Sequence, residues 1–246
     1  MIPKISRSIL ALSLMFSACS AADENQHLQA TKQPVNINKS FSYDVSYKGI
    51  NIGDMVRELQ WRGNSIKANI TADFSFLFMD FGGNQQSKIS WQPQSEEFLT
   101  RSFIRNTDGF SSVRMEAEFS EDGHNSQITN LGEKLTFSNA DHAIIDFNTL
   151  ALEIRHGVMS GEKQFEIFMQ TSDDIAHYFF EVKGKEMVNT EFGPLSAYRI
   201  EQIKKDDRTL IIWVAPSIDH QMVKFHYQRR ILDISGEMTK HSITVL

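Results

Sequence analysis

Beyond Lys39, large apolar side chains recur at every second position over most of the chain. Phe41, Tyr43, Val45 and Tyr47 alternate with Ser42, Asp44, Ser46 and Lys48, which puts one set on each face of an extended strand. Ile66, Ala68, Ile70, Ala72, Phe74 and Phe76 alternate in the same way with Lys67, Asn69, Thr71, Asp73 and Ser75. Met55, Leu59 and Trp61 lead into Arg62, Gly63 and Asn64, the chemistry of a tight antiparallel hairpin between two such strands. The period returns at Ile89 and Trp91, at Leu99 and Phe103, and from Val113 to Phe119 before the turn Glu121, Asp122, Gly123. Further stretches lie at 128–137, 165–169, 178–183, 198–204, 210–215, 222–228 and 237–246. About a dozen strands at this spacing predict an all-β, mainly antiparallel fold in one domain covering residues 40–246.

One segment follows a different period. Phe147, Leu150, Ala151 and Ile154 fall at i, i+3, i+4 and i+7, with Asp146 or Asn148 to cap the start, Arg155 and His156 in the last turn, and Gly157 just beyond. They predict a helix of about ten residues with one apolar face. A single amphipathic helix among strands buries that face against the concave side of a strongly curved sheet or half-open barrel. A second irregularity is Phe74, Phe76, Leu77, Phe78, Met79, Phe81, Gly82, Gly83, where apolar residues become consecutive and glycines let the chain turn. Its open roles are a plug over one end of the core, a gate or lining of an apolar cavity between sheet and helix, or a contact with a membrane or partner.

The N-terminus has Lys4 and Arg7 followed by the apolar run Ile9 to Phe16, which is a secretory signal too short to span a bilayer. Its end, Ser17, Ala18, Cys19, Ser20, resembles the bacterial lipobox, with Phe16 in place of an aliphatic residue. The expectation is a signal peptide over residues 1–18, diacylglyceryl modification of Cys19 and, from Ser20, an outer-membrane destination. The alternative is ordinary cleavage after Ala21 or Ala22, releasing a soluble periplasmic protein. Residues 19–39 are polar and predict a flexible tether. Cys19 is the chain's single cysteine, which excludes an internal disulfide and thiolate-rich metal clusters. The 31 acidic residues exceed the 25 Lys and Arg, a net charge of −6, and loss of Lys4 and Arg7 with the signal takes this to −8. Such a field repels nucleic acid.

Several fragments are similar to a known family. Tyr43, Val45, Tyr47, Gly49, Ile50 and Gly53 resemble the opening strand and turn of the bacterial periplasmic family catalogued as domain of unknown function 3108. Asp146 through Arg155 resembles its central helix, and Thr190, Phe192, Gly193, Ala197 and Tyr198 with Trp213, Ala215 and Pro216 resemble its paired C-terminal strands. The resemblance implies an exported, curved antiparallel sheet holding a helix, similar in outline to carriers that localise lipoproteins. It transfers no catalytic residue.

The chain carries no Gly-x-Ser-x-Gly elbow, phosphate loop or dinucleotide-binding turn. Of its eight histidines no two share the helical spacing of a zinc protease. His220 and His226 would share one face of a strand were it continuous, and read as surface residues near the end of an element, while Asp173 with Asp174, Asp206 with Asp207, and Glu96 with Glu97 read as solvated turn acids. No cofactor, metal or catalytic residue is therefore expected. The functional expectation is non-catalytic binding of a hydrophobic or lipidic envelope component by Phe74, Phe76, Phe78, Phe81, Leu150 and Ile154, in a protein held to the membrane through its N-terminal lipid. Rival expectations are a module that recruits another envelope protein, and an enzyme acting on envelope lipid or glycan.

Overall fold

The computed structural model describes residues 36–76, 79–109 and 112–246. Cys19 and the rest of the expected signal and tether up to residue 35 lie outside them, as does Phe78. Eight strands come first: β1 Asn36–Tyr47, β2 Ile50–Arg62, β3 Ser65–Phe76, β4 Met79–Gln92, β5 Glu97–Asp108, β6 Val113–Phe119, β7 Asn125–Asn130 and β8 Glu133–Ser138. The two-residue β9 (Ile144–Ile145) leads into helix α1 (Phe147–Ser160). Six strands follow: β10 Gln164–Gln170, β11 Ile175–Thr190, β12 Gly193–Ile203, β13 Thr209–Ala215, β14 Gln221–Arg229 and β15 Leu232–Val245. All fifteen described strands form one sheet in the order β8-β7-β6-β5-β4-β3-β2-β1-β15-β14-β13-β12-β11-β10-β9.

The sheet is two meanders joined where the first strand pairs with the last, Phe41 opposite His241 and Tyr47 opposite Ile234. Every pairing is antiparallel except β9 with β10, whose parallel register needs a long crossover, and α1 supplies it. Bulges in β1, β5, β11, β13 and their partners bend the strands. Gly53 marks one such bend: it sits at φ 143°, and a Cβ there would lie 2.0 Å from the carbonyl oxygen of Asp73. The bent sheet curls until its β9–β10 end meets β5–β7. There Ser126 Oγ donates to Gln170 Oε1, Asn130 Nδ2 to Ser172 O, and the Ile144 amide to Gly123 O at 2.8 Å. The result is an all-β, nearly closed barrel with one helix inside it, as the alternation predicts.

The helix binds both halves of the wall. Leu152 packs with Phe41, Tyr43, Leu59, Ile66 and Ile89, whereas Leu150, Ile154 and Val158 pack with Phe165, Ile167, Phe180, Ile200 and Val214. Burial of side chains of this size stabilises by about 1.5–3 kcal/mol each. Asp146 is the N-cap, its carboxylate accepting the Thr149 amide. The end differs from the sequence expectation. The helix runs to Ser160 and closes on Gly161 in the left-handed region, while Gly157 lies inside it, buried. Gly157 serves close packing instead, since a Cβ there would come 2.2 Å from the Phe165 ring.

Two further boundaries move. The tether expected to reach Lys39 gives way to strand at Asn36, because Lys39 faces inward on the same parity as Phe41 and is buried against an acid. His220 and His226 do not share a strand: β14 begins at Gln221, His220 sits before it at φ 51°, and His226 bonds Asp233.

Candidate functional site: a cavity beneath the helix

On the even-and-odd scheme of a strand, an inward position is apolar unless it has work to do. Three strands break that rule along the wall facing α1. In β2, Arg57 stands between Met55 and Leu59. In β4, Gln85 and Ser87 precede Ile89 and Trp91 on the same parity. In β5, Thr100 follows Phe98. All are buried.

Gln85, Ser87 and Thr100 converge on Asp146, which is wholly buried. One carboxylate oxygen accepts from the Thr149 amide at 2.9 Å, Thr149 Oγ1 at 2.5 Å and Thr100 Oγ1 at 3.2 Å. The other accepts from Gln85 Nε2 at 2.5 Å and from Ser87 Oγ. Asn148 Nδ2 adds a bond to Ser87 Oγ at 2.9 Å. This network fixes where the helix starts and pins it to β4 and β5.

A second polar cluster lies near the 3-10 turn Pro216–Ile218. Asp219 receives Lys39 Nζ on one oxygen and Arg155 Nη2 at 2.6 Å on the other. Burial works to raise the Asp219 pKa, but the bond from Lys39 and the Arg155 charge together hold it below the usual carboxylate value. Burial lowers that of Lys39.

Between these clusters the side chains leave a cavity of about 390 Å³, inside the range of about 300–1,000 Å³ usual for small-molecule sites. Leu150, Ala151 and Ile154 form its helix side; Ile70, Leu210, Ile212, Phe225, Tyr227 and Ile234 are among those forming the sheet side. Arg57, Arg155, His220 and Gln221 are the polar groups on its wall. Gly236 is what lets Phe225 lie flat: a Cβ there would come 2.1 Å from that ring.

A second hollow, of about 530 Å³, adjoins the first, and Ile70 and Phe147 line both. Its walls include Phe74 and Phe81, which face each other across the β3–β4 hairpin with ring centroids 5.5 Å apart. Phe147, at the first turn of α1, is 45% exposed. Of the residues expected to form the site, Leu150 and Ile154 thus line the inner cavity and Phe74 and Phe81 the outer hollow. Phe76 pairs with Met79 through the backbone at the hairpin end, and its side chain lies outside the described residues. Arg57, Phe147, Arg155 and the β13–β15 wall were not expected. Arg57 alone had a signal, a charge at a core-facing position between Met55 and Leu59. Among the described residues no group of three His, Cys, Asp or Glu side chains could hold a metal ion.

No curated protein matches the sequence. Among solved structures, a β-barrel-like protein of domain of unknown function DUF1849 from Brucella abortus aligns with a TM-score of 0.54 at 12% identity, over 86% of this chain and 99% of that one. At that identity the likeness concerns the fold. Residues 42–238, from β1 through β15 and so including the helix and both hollows, match the family described as protein of unknown function, DUF3108. The chain belongs to the DUF3108 family.

Proposed function

We propose that this protein binds an acyl chain or a similar apolar envelope component in the cavity beneath α1, without turning it over. The observation that carries the reading is a hollow that folding leaves unfilled: about 390 Å³ walled chiefly by aliphatic and aromatic side chains, with Ile70 and Phe147 shared with a second hollow at the hairpin. Apolar surface that lines a hollow instead of packing against protein is a standing cost, and an apolar occupant relieves it. The exposed Phe147, shared by the two hollows, suits a gate. Asp146, the wholly buried acid beside the site, has its oxygens engaged by five donors, which supports binding over acid–base chemistry.

The N-terminal sequence supports display outside the cytoplasm from a lipid on Cys19, at the periplasmic face of the outer membrane. Incorporation of radiolabelled palmitate that is lost in Cys19→Ala tests that anchor. The rival module reading has the free edge of β8 to recommend it, but that edge is short and carries Glu133 and Lys134, as edges guarded against pairing do.

Native mass spectrometry of the gently extracted full chain tests the binding role. A stoichiometric lipid adduct is expected. A specific protein partner with no lipid would favour the module, and neither would leave an enzyme as the better reading.

A further inference from the structure

Arg57 is 6% exposed and lines the cavity. A guanidinium carries five N–H donors, yet its bonds here are long and go to uncharged oxygens: Nη2 to Asn148 O at 3.3 Å and Nη1 to Gln221 Oε1 at 3.5 Å. Its Nε is buried with no partner. Neither nearby carboxylate pairs with it, since Asp146 is held by its five donors and Asp219 by Lys39 and Arg155. Counting the inward-facing charges around the helix, Lys39, Arg57, Arg105 and Arg155 stand against Asp146, Asp219 and Glu153, an excess of positive charge inside a chain that is acidic overall. A buried cation without a counter-charge is costly, and an incoming anion offsets that cost.

We infer that the occupant is a single-chain amphiphile ending in a carboxylate, with the head on the Arg57 guanidinium where it lines the cavity and the tail along Leu210, Ile212, Phe225 and Tyr227. This rests on the cavity reading and adds the chemistry of the head. A planar carboxylate matches the fork of the guanidinium. A cavity near the lower end of the usual size range suits one chain better than two. The competing use of Arg57 is structural, clasping α1 through Asn148 O and sharing a trapped water with the similarly unpartnered Asn148 Oδ1.

The test is displacement of 1-N-phenylnaphthylamine, a neutral fluorescent probe, from the delipidated full chain by palmitate and by hexadecanol, which share a tail and differ in charge. Palmitate is expected to displace the probe at least about tenfold more effectively, as a charge-assisted pair warrants. Arg57→Met should bring the two ligands level without lowering the melting temperature, because a buried unpaired charge is replaced by an apolar side chain of similar length. Arg57→Lys should keep part of the preference. Equal displacement on the unaltered protein, or a preference that survives Arg57→Met, overturns the inference while leaving an apolar cavity in place. A fall in melting temperature with the preference unmoved marks Arg57 as a helix clasp and overturns it too. Displacement by neither ligand overturns the inference and the cavity reading together.

Discussion

Glu153, on α1, shows how the barrel treats a charge it does not need inside. Burial pushes its pKa up to about 7, against the restraining bond it accepts from the Phe98 amide at 2.6 Å. Between the unfolded value and about 7 the folded protein holds a proton that the unfolded chain has released, so stability falls as pH rises through that window. The loss is on the order of 3 kcal/mol. Glu153→Gln keeps an acceptor for Phe98 and removes the titration. The melting temperature of the variant, compared with the unaltered protein from about pH 5 to about pH 8, should show a gap that widens in the variant's favour. Taking the difference cancels the opposite slope from His220, whose pKa burial lowers. A constant gap would contradict the assignment. Asp146 is the converse case, a buried acid whose donors need it. Asp146→Ala removes a helix cap and strands Gln85, Ser87 and Thr149, and should cost about 3–5 kcal/mol in urea unfolding.

The elements were legible to different degrees. Strand alternation needs only local sequence, so β1 to β3 and the Gly63–Asn64 hairpin follow directly from it. The helix start was equally plain, because an N-cap acts through neighbours three residues away. Its end was not: Gly157 has the composition of a stop signal, but the Phe165 ring that demands a glycine there comes from β10, and no periodicity reports that contact. The polar wall under the helix was hidden for the same reason. Gln85, Ser87 and Thr100 look like breaks in the pattern until Asp146 is brought to them by the fold. Half the cavity wall, from β13 to β15, escaped because those strands read as ordinary core. The two faces of α1 yield a paired expectation. Leu152→Ala, wholly inside the packed cluster, should cost about 2–5 kcal/mol. Phe147→Ser, exposed at the helix start, should shift stability by less than about 1 kcal/mol while altering probe uptake. Equal losses of stability would show that Phe147 is core rather than gate.

Across the barrel as a unit, the first and last described strands lie mid-sheet: β1 and β15 are neighbours, so the interior cannot close before the last strand is in place. At the other seam, side chains such as Ser126 and Gln170 do the joining in place of a continuous ladder. A barrel closed in this way around one helix has more inner surface than that helix covers, and the uncovered part is the cavity. Ala151 lies on its helix wall and points no backbone or charge at it, so a large side chain there fills space without removing a contact. Titration of 1-N-phenylnaphthylamine into the unaltered protein and into Ala151→Trp, with melting temperatures taken on both, therefore asks the decisive question. Saturable probe fluorescence that vanishes in Ala151→Trp while the melting temperature holds or rises is the expected result. Unchanged fluorescence in a folded Ala151→Trp protein would contradict it.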